Sequence, residues 1–163
     1  MFKKDDAVLY GKYGVCRIES TQIRNFGQQS VEYYVLRPVF QGNSTVYVPT
    51  SSESLVSKMR PLMSEQQIMD AIGSTKDHSV IFSLDDQLRR EEYRRILNSG
   101  DRAEAASVVS ALIGHKRDGR FRLHKCDEYF LETAKKLLDE EFAFVLNIRP
   151  EQVDEFVSRR KNA

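Results

Sequence analysis

Cysteine is scarce in this sequence, and so are the features that accompany secretion or membrane insertion. Cys16 and Cys126 lie far apart and outside any Cys-x-x-Cys spacing, which excludes a disulfide framework and a zinc knuckle. The longest clean apolar run, residues 142–146, is far shorter than the roughly 20 residues that a transmembrane helix needs. The first residues also lack the apolar stretch of a signal peptide. We therefore expect a soluble, cytoplasmic protein with reduced thiols and no membrane partner.

The sequence also lacks an excess of charge of either sign. Its 163 residues include 25 Lys and Arg against 24 Asp and Glu, which leaves a formal net charge of +1. This balance excludes a uniformly basic nucleic-acid coat and an acidic solvating tail. Hydrophobic residues make up 40% of the chain, so it can bury a core, and its length permits one ordinary domain or two small ones.

A change of composition near residue 60 predicts two domains, residues 1–60 and 61–163. Before it, short β-branched and aromatic runs such as residues 7–10, 31–36 and 44–48 alternate with turn formers, which predicts a small antiparallel β-barrel or strongly bent sheet. After residue 63 the hydrophobic period becomes about 3.6, which predicts an all-α bundle of about five helices. The fold class is therefore α+β.

Capping residues mark where the predicted helices begin. Three helices start with a cap followed three residues later by Gln or an acid: Ser64 with Gln67, Ser83 with Asp86, and Asp101 with Glu104. We expect the third helix to end at Gly114, the fourth to span about residues 127–146, and the fifth to begin at Pro150.

No catalytic or cofactor motif is present. The sequence contains no glycine-rich nucleotide loop, no Gly-x-Ser-x-Gly and no His-Glu-x-x-His. His124 and Cys126, with His115 nearby, suggest a zinc site, but no fourth ligand has suitable spacing. Adjacent carboxylates on the helices do not face each other and are best explained as solvated surface. We therefore expect no enzymatic activity, no cofactor, no metal site and no small-molecule substrate.

Two clusters of basic residues are present although the net charge of the chain is close to zero. One lies on the second helix, and the other is a connector over residues 115–125 that carries five Lys or Arg, one Asp and Phe121. Long cations on a shared face contact DNA phosphates, without sequence specificity because no recognition motif is present. A solvated surface explains the same residues equally well. The candidate DNA-binding residues are Arg89, Arg90, Arg94, Lys116, Arg117, Arg120 and Arg122.

Tyrosine is abundant in the β domain. Alternation along residues 31–36 places Tyr33 and Tyr34 on opposite faces of a strand, so at most one of them belongs to the core. Tyrosine is enriched in protein interfaces, and a small sheet exposes edge strands that can pair with a partner. These features favour a protein-docking module.

The order of the motifs resembles that of the CarD-like bacterial transcription regulators. Residues 2–15, 32–36 and 45–49 resemble the N-terminal module of that family, which also occurs in transcription-repair coupling factor. Ser99-Gly100-Asp101, followed by residues 106–112, resembles the helix junction of the family, and residues 134–138 resemble its later helix. The resemblance spans nearly the whole chain in the right order, although no single motif is specific.

This resemblance implies a Tudor-like, SH3-like barrel that docks on the β subunit of RNA polymerase. It also implies a helical domain that touches promoter DNA near the upstream edge of the melted bubble and tunes the stability of the open complex. The docking positions carried over are the strand that contains Tyr47 and the loop near Arg24. The candidate polymerase-binding residues are Arg24, Tyr34, Val46, Tyr47, Val48 and Pro49.

The sequence departs from the family pattern at functional positions. Tyr47 stands where several members have Arg. Members that stabilise the open complex use a Trp as an apolar wedge against a base step, whereas this chain has no Trp and has Asp86 near that place. We therefore expect polymerase binding with weakened or altered DNA action. The alternative is an adaptor that binds another protein through the barrel and has no DNA role.

Overall fold

The computed structural model describes residues 1–74, 76–119 and 122–163. The chain divides into two compact units, Met1–Met63 and Ser64–Ala163. The first unit is an antiparallel sheet with one short helix, α1 (Glu53–Val56). Its strands are β1 (Ala7–Tyr10), β2 (Val15–Phe26), β3 (Gln29–Pro38), β4 (Val46–Pro49) and β5 (Met59–Pro61).

A long hairpin, β2 and β3, forms the centre of the sheet. The turn between these strands has only two residues, because Phe26 pairs with Gln29. Gly27 adopts a φ of +63° there, which suits the first position of a tight hairpin turn. Alternate residues of the paired strands build the core, in which Ile18, Leu36 and Val48 are completely buried.

The expected barrel is wrong, because the sheet is open. The strand order is β4-β3-β2-β1-β5, and within this fully described unit β4 pairs only with β3 and β5 only with β1. Both edge strands are short and end in proline, Pro49 and Pro61. Proline has no N–H with which to extend a ladder, so these two residues add no donor to either edge. The two edge strands are not paired with each other.

The second unit is helical, and its described residues form six α-helices rather than about five. A 3₁₀ turn, Pro150–Gln152, leads into the last helix, where a proline was expected at the first turn. The helices are α2 (Glu65–Gly73), α3 (Ser79–Ser83), α4 (Asp86–Ser99), α5 (Arg102–Asp118), α6 (Lys125–Leu146) and α7 (Val153–Lys161). The additional helix is α3, which is only five residues long.

Two of the three predicted caps are observed. The Ser64 hydroxyl accepts from the Gln67 N–H while the Gln67 side chain accepts from the Ser64 N–H, and Asp101 accepts from the Glu104 N–H. The third prediction is wrong by two residues, because Asp85 rather than Ser83 caps α4. Asp85 Oδ1 lies 3.0 Å from the Leu88 nitrogen.

Helix α5 also extends further than expected. It continues through Gly114 to Asp118, and Gly119 ends it with a φ of +68° in the left-handed region. Its last turn carries His115 together with Lys116 and Arg117, and the positive charge of the last two is favourable beside the carbonyl end of a helix. The first four residues of the predicted connector are therefore helical.

A buried ionic network fixes α4 against α6. Arg89 Nη1 lies 2.9 Å from Asp127 Oδ2, and both side chains are almost completely buried. The second Arg89 amino group donates to the Phe82 carbonyl of α3, and the Tyr93 hydroxyl donates to the other oxygen of Asp127. Asp127 also accepts from the His124 N–H at 2.8 Å. The Asp127 carboxylate therefore accepts hydrogen bonds from two side chains of α4 and from the backbone just before α6.

The tyrosine of this network stays protonated. Burial, with the hydrogen bond to Asp127 adding to it, raises the pKa of Tyr93 far above its ordinary value. Its ring stacks on Phe130 with centroids 4.4 Å apart. Tyr93 therefore joins the apolar core to the charged network.

We predict that Arg89→Met will lower the free energy of unfolding of the helical unit by about 3–5 kcal/mol, because it leaves the Asp127 carboxylate buried without its cation. Urea unfolding followed by far-ultraviolet circular dichroism measures this. Arg90→Met is the matched control: this neighbouring side chain is exposed, so we expect a change within about 0.5 kcal/mol. Equal unfolding midpoints for the two variants would contradict the structural role of Arg89.

Candidate functional site

The first candidate surface is the edge of the sheet formed by β4. Tyr47 is 39% exposed there, and the Arg24 guanidinium lies over its ring at 4.0 Å from the centroid. Tyr33 meets the same ring edge-on at 6.2 Å. These contacts hold Tyr47 in one orientation, with an exposed cation stacked on it and an edge strand beneath. Ordered aromatic and arginine side chains of this kind are typical of protein interfaces.

Two of the predicted polymerase-contact residues have buried side chains. Tyr34 is only 7% exposed and packs edge-on against Phe2, and Val48 is completely buried. Register explains both positions, because Tyr34 pairs with Val48 and the two side chains share the core face of the sheet. Val46 is half-buried against the same core. Arg24 and Tyr47 therefore provide the accessible side chains, and residues 46–49 provide the edge.

The second candidate surface is a groove between α4 and α6. From α4 come Arg90, Tyr93, Arg94 and Leu97, and from α6 come Lys125, Cys126, Tyr129 and Phe130. The groove has a volume of about 280 Å³. Its floor is apolar and aromatic, and its described cations are exposed. A flat aromatic floor with a cationic rim suits a planar group that carries an anion, such as a nucleotide.

A hollow adjoins this groove and shares two of its cations. Its lining residues are Asp86, Arg90, Arg122, Leu123, His124 and Lys125, and its volume is about 320 Å³. Asp86 accepts a hydrogen bond from His124 Nδ1, and this bond holds the pKa of the Asp86 carboxyl below its ordinary value. The carboxylate that occupies the expected Trp position is therefore anionic and is bound to a histidine of the same unit.

The predicted DNA-binding residues fall into separate groups. Arg90, Arg94 and Arg122 line the groove or the hollow. Arg89 is buried and bound to Asp127, so its guanidinium is not accessible to a phosphate in this arrangement. Lys116 and Arg117 are exposed on the last turn of α5 and line neither cavity. Arg120 and Phe121 lie outside the described residues.

Sequence reasoning missed the aromatic part of the groove. Tyr129 is 70% exposed near the start of α6 and lies beside Lys125 on the same helix face. Helical spacing contained the signal, since residues 90, 93, 94 and 97 recur at i, i+3, i+4 and i+7. Residues 125, 126, 129 and 130 repeat a similar face on α6.

Arg95 also lies on α4, but it is bound to carboxylates and does not line the groove. Its guanidinium lies 2.6 Å from Glu92 and 2.8 Å from Glu104. These two carboxylates raise the pKa of Arg95 above its ordinary value. Arg95 therefore joins α4 to α5, while Arg90 and Arg94 lie on the rim of the groove.

Comparison with known proteins assigns a family to both units. The model for the CarD-like/TRCF RID domain matches residues 2–63, and the model for the CarD C-terminal domain matches residues 67–158. The chain belongs to the CarD-like family of transcription factors. A CarD-like chain from Bacillus subtilis (strain 168), described as "Putative transcription factor YdeB", is 27% identical over 164 residues, covering 96% of this chain and 99% of that protein.

Membership in this CarD-like family agrees with the resemblance carried by the sequence motifs. The family is one of transcription factors. Among the residues that the structure describes, no helix of this CarD-like protein is long and apolar enough to span a bilayer.

We predict that Tyr129→Ala will change the stability of the helical unit by less than about 1 kcal/mol, because most of this side chain contacts solvent. Phe130→Ala, one residue away and buried, should cost about 3–5 kcal/mol. Urea unfolding of both variants measures the difference. A large loss for Tyr129→Ala would mean that its ring is part of the core and not of an accessible groove.

Proposed function

We propose that this CarD-like protein docks on the β subunit of RNA polymerase through its first unit and modulates transcription initiation. The observation that carries the proposal is the Arg24–Tyr47 stack on the edge strand β4. The family assignment over residues 2–63 supports it. An edge strand offers backbone groups for pairing, and the ordered Tyr47 and Arg24 side chains give a partner specific contacts.

We further propose that the helical unit contacts the phosphate backbone of promoter DNA, and that the exposed arginines of the groove and the hollow make the main contacts. Arg90, Arg94 and Arg122 are all exposed. Arg90 lines both cavities, Arg94 lines the groove and Arg122 lines the hollow. Cations of this kind neutralise phosphates without reading bases. Asp86 opposes phosphate approach beside them, so this DNA contact should be weaker than that of members with the Trp wedge, and the effect on the open complex should be altered.

The adaptor hypothesis, without a DNA role, rests on the same Asp86 and on the absence of Trp. It predicts docking of the first unit on a protein other than RNA polymerase and no contribution of the groove cations to DNA binding. The two experiments below separate docking from DNA contact, so each proposal stands or fails alone.

We predict that replacing both Arg24 and Tyr47 by Ala will weaken binding of the full-length protein to purified β subunit at least about tenfold, because both members of the exposed stack are removed. Biolayer interferometry with the immobilised full-length protein measures the affinity. Tyr129→Ala is the control, since it removes an exposed tyrosine from the other unit and should leave the affinity unchanged. Failure of the unmodified protein to bind the β subunit would remove the docking proposal.

We predict that Arg90→Gln with Arg94→Gln will reduce the salt dependence of binding to a polymerase–promoter complex. The slope of log K against log salt is negative, and each lost phosphate contact makes it less steep by about 0.9. The two substitutions together should therefore make it less steep by about 1.8. Equilibrium binding at several salt concentrations gives the slope.

Arg95→Gln is the matched control for this measurement. It removes one charge from the same helix, but Glu92 and Glu104 hold that guanidinium, so the slope should change less than for either groove arginine alone. An unchanged slope for the Arg90 and Arg94 double variant would assign these residues to solubility and favour the adaptor.

A further inference from the structure

Three side chains with metal-ligating atoms converge where the groove meets the hollow: two line the hollow and the third lines the groove. They are Asp86 on the first turn of α4, His124 immediately before α6, and Cys126 on the first turn of α6. One carboxylate oxygen, one imidazole nitrogen and the thiol sulfur all lie within 4.8 Å of one another. His124 and Cys126 are close in sequence, whereas Asp86 is 38 residues from His124 and arrives through the packing of α4 on α6.

We propose that Asp86, His124 and Cys126 bind a thiophilic divalent cation, with Zn²⁺ as the best fit. Carboxylate, imidazole and thiolate are the three ligand types that zinc takes in proteins, and three protein ligands with one solvent position form a common open site. The chemistry of the donor set also disfavours Mg²⁺ and Ca²⁺, which require oxygen ligands.

The geometry requires only a small adjustment. Ligand atoms of a tetrahedral zinc site lie roughly 3.3–3.8 Å apart, given zinc–ligand distances of about 2.0–2.3 Å. Asp86 and His124 now share a hydrogen bond, and the metal would take the place of the shared proton. Both side chains are about half exposed and can move outward, while the buried Cys126 supplies a fixed point.

The charges of the surroundings are compatible with such a site. Arg90, Arg122 and Lys125 line the same hollow and would oppose an uncompensated dication. A carboxylate and a thiolate together carry two negative charges, so the complex with Zn²⁺ and neutral imidazole has no net charge. Three protein ligands leave a fourth position, which water or an anionic group would fill.

A bound metal would connect the first turn of α4 to the start of α6. It would also hold Asp86 as a ligand and remove its charge from the mouth of the groove, where that carboxylate otherwise repels phosphate. The proposal is independent of polymerase and DNA, because metal binding is measured on the protein alone.

Titration of the reduced full-length protein with Co²⁺ tests the site. We expect one equivalent to bind, with a thiolate-to-cobalt charge-transfer band in the near ultraviolet, and Zn²⁺ to displace it. Cys126→Ser should abolish that band, and Asp86→Asn and His124→Gln should weaken binding at least about tenfold. Added Zn²⁺ should raise the melting temperature of the unmodified protein but not of these variants.

Cys16→Ala is the matched control, because it removes the only other cysteine, which lies in the other unit. Its Co²⁺ spectrum should equal that of the unmodified protein. Should Cys126→Ser fail to fold, the two exposed ligands still decide the question. Absence of the charge-transfer band in the unmodified protein, or unchanged affinity in the Asp86 and His124 variants, would overturn the proposal.

Discussion

The buried ion pair between Arg89 and Asp127 is the interaction on which the helical unit depends. A charged pair in a protein interior is favoured when hydrogen bonds also satisfy its remaining polar groups. Here Tyr93, the Phe82 carbonyl and the His124 N–H supply most of those bonds, and among the described residues Arg89 Nε alone of the pair's polar atoms is buried without one. Because each partner lies on a different helix, the network permits one arrangement of α4 on α6. The groove and the adjoining hollow both exist as a result of that arrangement.

Helix α4 therefore uses chemically identical side chains for two purposes on different faces. Arg89 and Arg95 are bound to carboxylates of other helices, while Arg90 and Arg94 remain exposed at the rim of the groove. Consecutive residues on a helix point about 100° apart, so neighbouring arginines can have opposite roles. In the first unit, register makes a similar division, because it buries Tyr34 with Val48 and exposes Tyr47 beneath Arg24.

Asp86 connects the two proposals for the helical unit. As an anion near the groove mouth it weakens phosphate binding, and as a ligand beside His124 and Cys126 it would be neutralised by a metal. The family relationship over residues 67–158 explains the helical architecture, but the Asp86, His124 and Cys126 cluster is argued from this chain alone. DNA contact and metal binding can be measured separately, because metal binding is followed on the protein alone.

The sequence by itself determined the division into a β part and an α part and several helix starts, because caps, turn residues and hydrophobic period act over a few residues. The caps at Ser64 and Asp101 and the division into sheet and helices follow from such local physics. Only the tertiary structure decided the rest: the open sheet, the three-residue β5, the burial of Arg89 and the convergence of Asp86 on Cys126. Each of these depends on contacts between segments far apart in the chain, and no local preference encodes which distant charge or strand arrives as a partner.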